Sequence, residues 1–368
     1  MKISAAVARA PAAPMSLETL DLAPPRADEI LVKLVATGIC HTDIAMRDQA
    51  YPVPQPIVLG HEGAGIVAGV GSAVTKVKPG DRVVMTFNSC GHCASCAEHI
   101  PSYCYNFFEH NFAGQRPDGS SALSTGSERI HGNFFGQSSF ASHAVCHERN
   151  IVKVTDNVPL ELLGPLACGI QTGAGAIINA LKVGMGQSLA VIGSGSVGLS
   201  AIMAARLVGA GTIIAVDLNE ARLALARELG ATHVINARTG NVVEEIRKIT
   251  GGAGTDYTFE TTGVLTVLRQ AIDALAPRGT CGFVGASPAG SEVAVNVTDI
   301  MTAGRKIHGI VEGESNPDVF IPRMIELYKQ GRFPFDKLIS FYPFEKINDA
   351  IHDAEHGKAL KPVVRFPQ

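Results

Sequence analysis

No stretch of the 368-residue chain approaches the roughly 20 consecutive apolar residues that a membrane-spanning helix needs. Net charge is almost absent too. The 31 Lys and Arg nearly balance the 34 Asp and Glu, leaving −3, so there is no electrostatic footprint for nucleic acid or an anionic membrane. No internal repeat, low-complexity tract or basic run offers a docking segment. The first residues, Met1-Lys2-Ile3-Ser4, run into Pro11 and Pro14 without the apolar core of a signal peptide. The expectation is a cytoplasmic protein with neither a membrane nor a nucleic-acid partner. What is present suffices for a globular core, at 46% hydrophobic and 18% charged residues, and the length points to about two domains.

Cysteine is the residue type that stands out, at positions 40, 90, 93, 96, 104, 146, 168 and 281. In a reducing compartment, clustered thiols read as metal ligands before disulfides. Cys90-x2-Cys93-x2-Cys96-x7-Cys104 closes a tetrahedral zinc site with no vacancy, in a lobe too poor in apolar residues to keep its shape alone. An iron–sulfur cluster is the alternative. The long gap to Cys104 and the lack of a second cysteine group favour zinc. Cys146 and Cys281, in strand-like surroundings, read as small buried hydrophobes.

A second constellation is dispersed. Gly38-Ile39-Cys40-His41-Thr42-Asp43, Gly60-His61-Glu62-Gly63 and Leu166-Ala167-Cys168-Gly169 supply a thiol, an imidazole and a thiol. Singly, Cys40 and Cys168 read as buried thiols and His61 as a core histidine. Together they form a set that leaves one zinc position open, the mark of a catalytic site.

Residues 1–85 read as short strands punctuated by Gly and Pro, a partly closed barrel-like domain. Residues 105–140 read as a long irregular segment seeded with Phe107, Phe108, Phe112, Phe134, Phe135 and Phe140. From about residue 170 strands alternate with helices, implying a doubly wound parallel sheet. The apolar strand at 187–192 runs into Gly193-Ser194-Gly195-Ser196-Val197-Gly198 and then a helical run, 199–207. Asp217 ends the next strand, roughly 20 residues on, as a dinucleotide fingerprint requires. The glycines allow a tight turn and close approach of a pyrophosphate to a helix N-terminus. Asp217 would accept hydrogen bonds from the adenosine ribose and repel a 2′-phosphate, which favours NAD over NADP. Further on, residues 322–328 and Ile347–Glu355 read as helices, and Lys358 and Lys361 as surface charges.

In order along the chain, Cys40, Gly60-His61-Glu62, the cysteine quartet, Cys168 and the Gly193–Gly198 fingerprint resemble the zinc-dependent medium-chain alcohol dehydrogenases. The likeness runs essentially the whole chain and is most like the aryl and allylic alcohol branch. It implies an α/β protein whose Rossmann NAD-binding domain (170–310) is inserted in a β-rich GroES-like catalytic domain (1–169 and 311–368). Two zinc ions per chain are implied, one catalytic on Cys40, His61 and Cys168, and one structural on the quartet. Asp43 would fix the tautomer of His61, Glu62 would be the acidic neighbour of the metal, and Thr42 would take the substrate proton. NAD would touch His41 and Lys361 at its pyrophosphate, Gly193, Gly195, Val197 and Gly198 at the loop, and Asp217 and Arg222 at the ribose. Thr172 would meet the nicotinamide amide, and Val284 would be a further coenzyme contact. Where several relatives end a proton relay with histidine, this chain has Ala45.

The resemblance also implies a pocket of Tyr51, Phe87, Phe134, Phe135, Ala286 and Ile310, with Phe107 or Phe108 at its mouth. Its aromatic lining suits a primary benzyl-type or terpenoid alcohol oxidised to the aldehyde. The alternatives within the family are an aliphatic or polyol dehydrogenase and a glutathione-dependent formaldehyde dehydrogenase. Outside it stand a Rossmann nucleotide sensor and a nucleic-acid-binding zinc module. Relatives assemble as homodimers or homotetramers, and the sequence does not choose between them.

Overall fold

The computed structural model describes residues 1–154 and 157–367. It divides into two compact units, one of Met1–Cys168, Asn316–Lys329 and Asp336–Gln368, the other of Gly169–Ser315 and Gln330–Phe335. Among the described residues, no helix is long and apolar enough to cross a membrane.

The first unit is built on two sheets. The smaller runs Ile57–Val58, Lys2–Ala8, Ser16–Leu22, Leu123–Thr125, Glu128–Ile130, all antiparallel. The larger is organised by the ten-residue strand Glu29–Gly38. One edge of that strand pairs with Glu62–Val70. Its other edge is shared between His143–His147 at the start and Lys361–Arg365 at the end. This pairing is what carries the C-terminal strand, and Lys361 with it, beside the segments that hold Cys40 and His61. The core between the sheets includes Ile30, Val32, Leu34, Ile57, Val67 and Val83, all nearly or fully buried.

The segment 105–140 departs from the irregular loop that its composition suggests. It folds as a helix (Phe107–Phe112), a hairpin (Leu123–Thr125 with Glu128–Ile130) and a single turn (Phe134–Gly136). Two contacts that sequence periodicity does not encode make the difference: the hairpin extends the smaller sheet through Leu123 and Ser124, and the phenylalanines pack on one another. The helix expected at 322–328 begins earlier, at Pro317, and carries Pro322 inside it, where a missing N–H hides the helical pattern.

The second unit is a six-stranded, all-parallel sheet in the order His233–Asn236, Thr212–Asp217, Ser188–Ile192, Thr255–Glu260, Leu275–Phe283, Lys306–Gly309. Numbered along the chain this is 3-2-1-4-5-6, the doubly wound order whose reversal between the first and fourth strands opens a nucleotide crevice. The central strands Ser188–Ile192 and Thr212–Asp217 are mostly apolar and buried because helices such as Ser196–Leu207, Glu220–Leu229 and Leu265–Asp273 cover the sheet.

Candidate metal and coenzyme sites

The dispersed set converges within the first unit. Cys40 is the N-cap of the short helix His41–Arg47, and the third helical residue is Asp43. The fully buried Asp43 carboxylate accepts three N–H groups: the Cys40 amide at 2.9 Å, the Gly60 amide at 3.0 Å and His61 Nδ1 at 2.8 Å. The last of these bonds leaves the lone pair of His61 on Nε2, which lies 3.2 Å from Cys168 Sγ. Cys40 Sγ is 4.0 Å from Cys168 Sγ. Two thiolates on one tetrahedral zinc, at about 2.3 Å each, stand about 3.8 Å apart. One ligand atom each from Cys40, His61, Glu62 and Cys168 falls within 4.8 Å of the others, so the donor set fits zinc.

The imidazole is held from several sides. Phe135 stacks on it at 4.5 Å and Phe134 meets it edge-on at 5.6 Å. Gln137, a residue sequence reasoning passed over, donates to the His61 carbonyl at 2.9 Å and accepts from the Gly63 amide at 3.1 Å. Nothing in a Gly/Ser-rich stretch marks that glutamine in advance; only its burial does.

Behind the thiols lies a buried ion pair. Lys361 Nζ donates to Glu62 Oε1 at 2.7 Å and to the Ile39 carbonyl at 3.3 Å, with both charged side chains almost fully buried. The resemblance placed Lys361 on the coenzyme pyrophosphate; here its ammonium is committed to Glu62. Gly38 makes room for the pair, since a Cβ there would lie 2.0 Å from Glu62 Oε2. Burial raises the Glu62 carboxyl above its usual range despite the Lys361 charge. The Cys40 thiol is driven well below its ordinary value by its bond to Cys168, with Lys361 and His61 adding to this against the effect of burial. For His61, burial works downward, but the Asp43 carboxylate and the Cys40 thiol together outweigh it and hold the ring well above the ordinary imidazole value.

Of the remaining positions in this unit, the Thr42 hydroxyl lies 3.7 Å from Cys40 Sγ, His41 is exposed and Ala45 offers no titrating group. Phe134 is wholly buried and Phe87 and Phe135 nearly so. Phe134 therefore lines no open space, and its ring is taken up by His61 and by Phe112 and Phe135. Tyr51 packs partly buried against the same cluster, whereas Phe108 is 72% exposed. Ala286 and Ile310 belong to the second unit, exposed and buried respectively.

The quartet Cys90, Cys93, Cys96 and Cys104 also gathers with its sulfurs within 4.8 Å of one another, all as free thiols. Backbone amides point into it, Cys90 N to Cys104 Sγ at 3.2 Å and Cys93 N to Cys90 Sγ at 3.3 Å. The amides of Tyr105 and Cys96 draw the Cys93 thiol down to about 6, while burial pushes Cys104 up to about 12.

In the second unit the glycine loop joins the first strand to the helix Ser196–Leu207. Gly198 packs so tightly that a Cβ would lie 1.9 Å from the Gly193 carbonyl. The helix N-cap is Gly195, with no side-chain cap, which leaves the first amides available to an anion. Asp217 at the end of the second strand accepts from Ser194 N at 2.7 Å and Asn219 N at 2.9 Å, with Arg222 at 4.0 Å. Val197 and Val284 are half-buried at this carboxyl end of the sheet, where the Ser194 hydroxyl is buried without a partner. The loop, the bare helix end and the acid fit a dinucleotide.

Comparison with known proteins turns this geometry into a family. Residues 26–156 match the alcohol dehydrogenase GroES-like domain, and residues 196–330 match the zinc-binding dehydrogenase family. A geraniol dehydrogenase from Castellaniella defragrans is 48% identical over 98% of this chain and 97% of its own length. The chain belongs to the zinc-binding alcohol dehydrogenases. This dehydrogenase is also similar to two solved structures over the full length of all chains. One is an alcohol dehydrogenase zinc-binding domain protein from Burkholderia ambifaria, with 55% identity and a TM-score of 0.98. The other is a benzyl alcohol dehydrogenase from Acinetobacter calcoaceticus, with 48% identity and a TM-score of 0.97. The enzyme is thus a medium-chain dehydrogenase with a GroES-like and a Rossmann-type part, and the sensor and nucleic-acid readings fall away.

Asp43→Asn tests the metal site directly. An asparagine has one oxygen and an NH2 where the carboxylate accepts three N–H groups, so at least one donor faces a donor. Zinc affinity at Cys40, His61 and Cys168 is expected to fall about 10–100-fold, read by chelator competition.

Proposed function

We propose that the enzyme oxidises primary allylic and aromatic alcohols to aldehydes with NAD as the hydride acceptor, acting in the cytoplasm as a homodimer or homotetramer. Zinc supplies Lewis acidity at the alcohol oxygen, and NAD supplies the hydride acceptor. Residues 1–169 and 311–368 are assigned to metal and substrate, and 170–310 to the coenzyme. The observation that carries the reading is the convergence of Cys40, His61 and Cys168 around one ligand volume, with Asp43 fixing the imidazole.

In this reading Cys40, His61 and Cys168 hold the catalytic metal and the quartet holds a structural one. The Thr42 hydroxyl, beside Cys40, takes the proton of the alcohol. With alanine at position 45 that proton leaves through water or His41. The glycine loop and the amides of the helix after it bind the pyrophosphate. Asp217, anchored by the Ser194 amide, receives the ribose hydroxyls and repels a 2′-phosphate, with Arg222 alongside. Thr172 meets the carboxamide of the nicotinamide.

The substrate class rests on the geraniol and benzyl alcohol dehydrogenases to which the chain is similar, and on the half-buried rings of Phe107 and Phe112 that pack against Phe135. Such ring pairs are worth about 0.5–1.5 kcal/mol beyond their area, a term that an unsaturated ligand gains and ethanol does not. The kcat/KM with NAD for benzyl alcohol or geraniol is expected to exceed that for ethanol by at least about tenfold, since about 1.4 kcal/mol, the upper range of one such pair, is a factor of ten. An ethanol preference in a steady-state substrate panel overturns the assignment.

A further inference from the structure

Glu312 lies outside every motif above, yet it is a buried acid in a strained turn. Its φ of 48°, with 65° at Gly313 and 48° at Glu314, makes three successive left-handed residues, two of them with side chains. Such a turn persists only where its surroundings impose it. Here they do. A Cβ on Gly313 would lie 2.4 Å from the Gln171 carbonyl, and Asn179 Nδ2 donates to the Gly313 carbonyl at 3.1 Å. Ser315, fully buried, bonds Gln171 Oε1 and the Glu312 carbonyl, both at 2.8 Å.

The product of this bracing is the position of one carboxyl group. Glu312 Oε2 accepts from Gln171 Nε2 at 3.2 Å and from the Thr172 hydroxyl at 3.4 Å. All three residues belong to the second unit, and Glu312 and Thr172 are only 7% and 9% exposed. A hydroxyl whose proton points at a carboxylate turns its lone pairs the other way. Thr172 is thereby set as an acceptor, the role that a carboxamide NH2 requires.

We propose that Glu312 positions Thr172 for the nicotinamide carboxamide and places a negative charge that favours the oxidised, cationic ring over the neutral reduced one. The inference rests on the reading above that NAD binds with its carboxamide at Thr172. One hydroxyl separates the carboxylate from the amide, so it stands within several ångströms of the ring. At that range, with partial screening, the attraction is felt by NAD+ alone and amounts to roughly tenfold in affinity. The consequence for turnover is that spent NADH exchanges for NAD+ more readily than it would beside a neutral residue.

The test is equilibrium binding of NAD+, NADH and ADP-ribose to the full-length, zinc-loaded protein, by NADH fluorescence and calorimetry, without substrate. Glu312→Gln removes the charge and keeps the shape; Glu312→Met is a second neutral variant of similar volume, and either one, recovered folded, decides the matter. The ratio of Kd for NAD+ to Kd for NADH is expected to rise about tenfold in the neutral variants. Glu312→Asp, which keeps the charge, is expected to stay within threefold of the parent ratio, and ADP-ribose affinity is expected to hold throughout. Equal changes in both coenzyme affinities, or no change in either, reduce Glu312 to a loop anchor and overturn the proposal while leaving NAD as the coenzyme. A parent protein that binds neither coenzyme overturns the NAD reading and this inference together.

Discussion

Lys361→Met is expected to lower the stability of the first unit by about 3–5 kcal/mol, the usual cost of removing one partner from a buried ion pair. Methionine replaces the length of the side chain and not its charge. Glu62, with no exposed surface, loses the ammonium that donates to it at 2.7 Å, in a space already so tight that Gly38 has no room for a Cβ. The Ile39 carbonyl loses a donor as well. For a unit of this size, differential scanning calorimetry should show that part of the unfolding shifted down by about 10 °C. Lys346→Met is the control. Lys346 pairs with Asp349, both side chains 62% exposed, and such surface pairs contribute about 0–1 kcal/mol. Equal effects of the two substitutions would mean that the buried pair is not what holds this corner together.

Cys104→Ser should disable the quartet lobe. Cys104 is only 4% exposed and accepts the Cys90 amide on its sulfur. The lobe it anchors consists of the one-turn helix Ala94–Ala97 with no buried residue, a turn at Pro101–Tyr103 and exposed connections. Apolar burial on this scale does not offset the entropy of ordering the segment, and in the proposed reading a metal on the four cysteines makes up the difference. The variant is expected to retain one zinc per chain instead of two by atomic emission after dialysis. Chymotrypsin should then cut after Tyr103 at least ten times faster than in the parent, because proteolysis follows the population of the open segment. Full zinc content together with an unaltered digestion rate would show that the lobe stands without its metal.

Most of the second unit was legible because its signals are local. An apolar strand, a glycine turn and a helix succeed one another in 188–207, and Asp217 follows at the end of the next strand. Each element covers its neighbour in the sequence, so local pattern and global order agree. The quartet was legible for the same reason, since four ligands within one short segment need only a turn to meet. The segment 105–140 was not legible. Its hairpin exists because Leu123 and Ser124 find Leu22 and Asp21, about a hundred residues away, and a periodicity count cannot see a partner at that distance.

Lys361 shows the limit most clearly. As a sequence letter it is a basic residue near the end of a chain, and charge alone puts it at the surface. The strand Lys361–Arg365 joins the sheet beside the end of Glu29–Gly38, and that register turns the ammonium inward to Glu62. Glu312 and Gln137 are similar cases, polar letters in polar stretches whose roles come from burial and from the groups they meet.

The amino-acid order by itself determined the chemistry at hand: which thiols and imidazole could serve a metal, which loop could hold a pyrophosphate, and that strands and helices alternate in 188–309. The tertiary structure alone decided what each of those groups faces. It aimed His61 at Cys168 through Asp43, buried Lys361 on Glu62, laid Phe135 over the imidazole and bent Glu312 toward Thr172. The physical reason is that donor type and local periodicity are properties of neighbouring residues, whereas desolvation and the direction of a hydrogen bond arise only when segments far apart in the chain pack together.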